Sequence, residues 1–108
     1  MSDSTVDPRL LARITSADAR FREVESQLSD PAVLQDPEQI RILGQERSDL
    51  EPAVREGARL QQTLEELAGA LEIAQEAEDP EMREMAQAEV EELEARRDEL
   101  AATVRELL

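Results

Sequence analysis

The chain has 108 residues and carries 27 acidic against 12 basic side chains, a net charge of −15. It has no Cys, His, Trp or Tyr. Those absences remove disulfides, thiolate ligands and nucleophiles, the commonest general base and metal ligand, and most of the aromatic surface that stacks on nucleic-acid bases.

Charged residues make up 36% and aromatics 1%, and the rest is rich in Ala and Leu at helical spacing. Such a composition reads as long helices or coiled coil, not disorder, and it is not that of an enzyme. Apolar runs are too short for a membrane span, and the start, MSDSTVDP, is acidic and polar, unlike a secretory signal. A cytoplasmic protein is the expectation, with residues 1–7 a disordered N-terminus.

Four of the five prolines follow an aspartate, at Asp7, Asp30, Asp36 and Asp79. Proline has no amide hydrogen and a φ near the helical value, and aspartate before it caps free amides. Asp-Pro is therefore a helix start. The first helix is predicted over about 8–29, with Leu10, Ile14, Ala17, Phe21, Val24 and Leu28 as a heptad stripe. Asp30-Pro31 precedes only Ala32, Val33 and Leu34 and reads as a single turn whose apolar pair plugs the corner.

The second helix is predicted over about 37–77, with Gln39 completing a variant capping box on Asp36. Its stripe runs through Leu43, Leu50, Gly57, Leu64 and Leu71, with Ala53, Leu60, Leu67 and Ala74 between them. Pro52 falls inside and removes the bond to the Ser48 carbonyl. One helix kinked near Pro52 is favoured over two, because the stripe keeps its phase. The third helix is predicted over about 80–108, on Ala86, Val90, Leu93, Leu100, Val104 and Leu107. Arg97 interrupts its stripe and either snorkels out or pairs with a glutamate of the neighbouring helix. Met82 and Met85 read as the beginning of its core face.

The short turn near 77–80 makes the last two helices antiparallel neighbours. A symmetric turn pairs Leu71 with Ala86, Leu67 with Val90, Leu64 with Leu93 and Leu60 with Arg97. The first helix reaches only the early half of the second, with Leu10 opposite Gly57. The expected fold is all-α: three helices, a long antiparallel coiled-coil-like hairpin, and a shorter N-terminal helix on its base, the whole of 8–108 being one helical domain. The rest of the hairpin, about 60–95, projects as an arm. That arm holds twelve acids and one base, Arg83, a balance of −11 out of −15. It repels phosphate backbones and suits a basic protein surface. For any single glutamate, a solvated helix face is the ordinary reading. The acidic runs EVEELE and QEAEDPE lack the glycine turn and alternating ligands of a calcium loop.

The stretches LSDPAVLQDPEQIRILGQERSDLEPAV and EDPEMREMAQAEVEELE resemble the N-terminal domain of bacterial peptide chain release factors. The nearer type is the one reading UAA and UAG, release factor 1, whose members share the LSDP, DPE and LEP sequence. The likeness spans about residues 8–108. It implies a helical docking domain acting in translation termination, directed at the stalk-base region of the ribosome and at other protein factors through the arm 60–95, with no direct nucleic-acid readout and no membrane. Members of that family read the stop codon and release the peptide with loops in later domains. This chain contains neither a Gly-Gly-Gln nor a Pro-x-Thr sequence, so no catalytic, cofactor-binding or metal residue carries over. The alternative is a free-standing coiled-coil scaffold or oligomerisation module, and self-association stays open. A nucleic-acid-binding arm like that of seryl-tRNA synthetases ranks last, because it needs basic residues where this arm has acids.

Overall fold

The computed structural model describes residues 6–108, and within them the chain is helical from Pro8 onward: α1 (Pro8–Gln27), α2 (Pro31–Leu34), α3 (Pro37–Glu76) and α4 (Pro80–Leu107). Each helix starts on Asp-Pro. The Asp7 carboxylate accepts from the amide of Arg9 at 2.9 Å, Asp30 from Ala32 at 2.9 Å and Asp79 from Glu81 at 3.0 Å. Asp36 accepts from Glu38 at 3.1 Å and Gln39 at 3.4 Å. Four aspartates thus each satisfy an amide that the helix itself leaves free. The reciprocal half of the capping box does not form at Gln39. The Asp36 amide already donates to the Val33 carbonyl at 2.9 Å, closing α2.

The fold is the all-α hairpin with a shorter first helix on its base, and α2 is the single turn in the first connection. α3 runs unbroken through Pro52 for 40 residues. Ala53 and Gly57, within two turns of that proline, are both buried, and packing there holds the helix across the missing bond. The molecule is elongated, with principal extents of 63 × 24 × 17 Å.

At its centre α1, α3 and α4 meet. Val6, Leu10 and Ile14 pack there with Leu60, Ala101 and Val104. Leu60 and Val104 have no solvent exposure at all, and a fully buried leucine contributes about 1.5–3 kcal/mol. Residues 1–5 lie outside the described residues. Val6, counted on sequence grounds with a disordered start, is instead part of this core, because α1 begins directly over the α3–α4 groove.

The helix register differs from the symmetric pairing by about one turn. Leu93 packs with Leu67 and Ala70 rather than Leu64, and Leu60 packs with Ala101 rather than Arg97. The connection explains the offset. Ala77 and Asp79 are extended, with ψ of 134° and 119°, so α4 starts beyond the end of α3 instead of level with it. α1 is displaced similarly. A Cβ built on Gly57 would stand 2.8 Å from Cγ2 of Ile14, so Ile14, not Leu10, lies against that glycine. The missing side chain is what lets α1 approach α3 this closely.

The apolar turn α2 does not plug its corner. Leu34 is 53% exposed. Only Val33 turns inward, lining a shallow cavity with Gln27, Ile42 and Leu43.

Candidate docking site

From the three-helix centre the chain extends as two helix pairs in opposite directions, and their surfaces differ in kind. In the α1–α3 pair, Val24 is fully buried and arginines bridge the helices. The Arg20 guanidinium donates to both carboxylate oxygens of Glu46, at 2.5 and 2.7 Å, and to Glu23 at 2.6 Å. Arg47 donates to Glu25 at 2.8 Å and lies over the Phe21 ring, 5.0 Å from its centroid. Hydrogen bonding from Arg20 holds the Glu46 carboxyl below the ordinary range and raises Arg20 itself. Glu38 is lowered by Arg41, and Asp7 by Arg9.

The α3–α4 pair is the acidic arm. Leu67, Ala70, Ala86 and Leu93 are buried in its seam. Heptad spacing sends the glutamates of residues 60–95 outward on both helices. Among the described residues one ion pair joins the two helices, Arg96 to Glu66 at 3.7 Å. The arm therefore presents its negative charge largely unneutralised by its own side chains.

Arg97 neither snorkels out nor reaches the neighbouring helix. Its side chain is 12% exposed, its Nε donates to Asp98 at 2.9 Å on its own helix, and its Nη1 is buried without a partner. Arg96, one residue earlier and off the stripe, reaches across instead. Thr63 is buried, whereas Leu64, which the stripe picked out, is only partly buried.

Met82 and Met85, read from sequence as core, are 54% and 74% exposed. α4 starts beyond the end of α3, so Met82 has no helix level with it, while Met85, next to the buried Ala86, turns away from the seam. Ile73, near the end of α3, is 45% exposed. It lies off the stripe that the heptad pattern picks out, and an isoleucine out of phase near a turn was the signal that could have found it. Among the described residues there is no group of three or more acids placed to hold a metal, and no helix is long and apolar enough to cross a membrane.

The sequence that builds these four capped helices matches a known family. The model of the PCRF domain matches residues 17–108. The chain belongs to the PCRF domain family. It is 41% identical over 99 residues to peptide chain release factor 1 of Geobacter sulfurreducens, covering 92% of this chain and 27% of that protein. It is 37% identical over 98 residues to peptide chain release factor 1 of Sorangium cellulosum, covering 91% and 26%. The corresponding factor of Oceanobacillus iheyensis is 34% identical over 99 residues, covering 92% and 28%. The chain thus spans about a quarter of the length of the curated relatives it matches. No solved structure matches it. The family expected from the LSDP, DPE and LEP stretches is the family found.

Proposed function

We propose that residues 8–108 form one helical docking domain of a translation termination factor of the release factor 1 type, acting in the cytoplasm and contributing no chemistry of its own. The reading is supported by the family and by one observation above others: a projecting arm with twelve acids and one base, at the far end of a molecule that pairs acids such as Asp18, Glu25, Glu46 and Glu51 with arginines elsewhere. The arm is offered to a basic protein surface on the ribosome at the stalk base. Long-range attraction raises the rate of encounter, and desolvation at contact then selects the fit. Exposed charges are screened over about 8 Å at physiological ionic strength, so binding is weak and falls with salt.

The test is association of the labelled chain with purified bacterial ribosomes across a salt series. Replacing Glu89, Glu91, Glu92 and Glu94 together by Gln removes four charges without touching the buried seam. Association at low salt should slow at least several-fold, and the salt dependence should flatten. Equal association rates for the two proteins would reduce the arm to a solvated face and end the docking reading. The chain should also leave peptidyl-tRNA intact, with or without a stop codon.

A further inference from the structure

We propose that the docking contact is made by the arm's tip, through an apolar patch of Ile73, Met82 and Met85 set in an acidic rim. The occupant is a protein surface with an apolar socket bordered by basic side chains. This inference rests on the docking reading above and says where on the arm the affinity resides.

The placement follows from helical phase. Glu66 and Arg96 meet across the seam and so mark one flank of the hairpin. Ile73 lies seven residues beyond Glu66, two turns on. Met85 and Met82 lie eleven and fourteen residues before Arg96, about three and four turns. At 100° per residue all three return to within about 40° of that flank. In the observed register, where Leu93 packs with Leu67 and Ala70, they stand within about 8 Å of one another along the arm at 1.5 Å per residue. One flank of one tip thus collects three of the molecule's exposed large apolar side chains.

The rim decides what covers them. Glu81 and Glu89 stand four residues to either side of Met85 on α4, next to it on the helix face, and Glu78 is exposed in the connection just before that helix. A second copy would bring two arms of charge −11 together, and an anionic membrane would be repelled in the same way. A basic protein surface meets both demands. Apolar anchors inside a charged rim are the usual anatomy of a contact whose energy is concentrated in a few residues. Methionine suits the anchor role, being unbranched and polarisable enough to fill an irregular socket.

Because Met82 and Met85 are exposed, the double variant Met82→Ser, Met85→Ser should melt with the wild-type chain, which circular dichroism checks. Bound to purified ribosomes, it should dissociate at least tenfold faster, with its association rate within about twofold of the original. The variant Glu81→Gln, Glu89→Gln should do the reverse, slowing association more than it speeds dissociation. If the wild-type chain binds and the serine variant binds equally well, the tip is not the contact, while arm docking survives. If the wild-type chain does not bind at all, the docking reading falls and this inference with it. If sedimentation shows a dimer that the serine substitutions dissolve, the occupant is a second copy and the proposal is overturned.

Discussion

The α1–α3 pair and the α3–α4 arm share α3 and start from the same Asp-Pro signal, yet they solve the problem of a narrow two-helix seam differently. The first adds arginine bridges and a cation over an aromatic ring to its seam. The second relies on its apolar seam and leaves its acids facing water. Two helices bury little surface per residue, so each pair depends on the three-helix centre between them. The lesson is that charge on a helical hairpin is not uniform decoration. Where acids are matched by arginines they serve the fold, and where they are left unmatched at a projecting end they are available to a partner.

The largest expected effect sharpens that contrast. Leu60 and Leu67 are equally inaccessible to solvent, but Leu60 sits among three helices and Leu67 between two. Leu60→Ala should cost about 3–5 kcal/mol, since the surrounding side chains cannot all relax into the gap. Leu67→Ala should cost about 2–3 kcal/mol, because water and a small closing of the arm fill part of the space. Urea denaturation of the two variants measures both. Equal costs would mean that the arm is as tightly built as the centre. Amide exchange gives the same comparison without mutation, and the arm should open at lower free energy.

A smaller effect separates the glycines. A Cβ on Gly57 would press on Ile14, a stiff β-branched side chain at the core. One on Gly69 would meet nothing within 4 Å. Alanine is worth up to about 1 kcal/mol more than glycine inside a helix. Gly69→Ala should therefore stabilise the arm by up to about 1 kcal/mol. At Gly57 that gain opposes an overpacking penalty of about 1–3 kcal/mol, so Gly57→Ala should lower the urea midpoint while Gly69→Ala raises it. A rise at both positions would show that α1 can retreat from α3 without loss.

These positions also show how much was readable in advance. The helix starts were legible because Asp-Pro acts within two residues of itself, and the seam was legible because apolar spacing is a local pattern. The family was legible from short runs of sequence. The register was not. It depends on whether the extended residues from Ala77 to Asp79 let α4 overrun the end of α3, and a one-turn difference leaves the heptad pattern intact. That offset leaves Met82 beyond the end of α3, and a separate displacement of α1 brings Ile14 against Gly57. The tip patch was therefore hidden from sequence reasoning as an apparent core. Arg97 was visible as a break in the stripe, but its choice of Asp98 over a cross-helix acid depends on how the two helices are rotated.

The smallest expected effect tests whether the matched acids serve the fold. Glu46 accepts two bonds from Arg20 across α1 and α3, and that partner holds its pKa below the ordinary 4.5. A carboxylate with a depressed pKa binds its proton less readily when folded. Its stabilising contribution is therefore complete above about pH 4.5 and is lost as pH falls through the lower folded value. Glu46→Gln removes the contribution at neutral pH and should lower Tm slightly, since exposed pairs are individually weak. Below pH 4.5 the wild-type chain loses the same contribution, so the gap between the two proteins should narrow and close. Glu89→Gln, in the arm and off the seam, should show no such gap at neutral pH. Tm measured for all three proteins between pH 3 and 7 decides the matter: a gap at Glu46 that stays constant with pH would mean that its contact with Arg20 is packing rather than charge. A destabilised Glu89→Gln would mean that the arm's acids also hold the fold, and that the difference between the two helix pairs is one of degree.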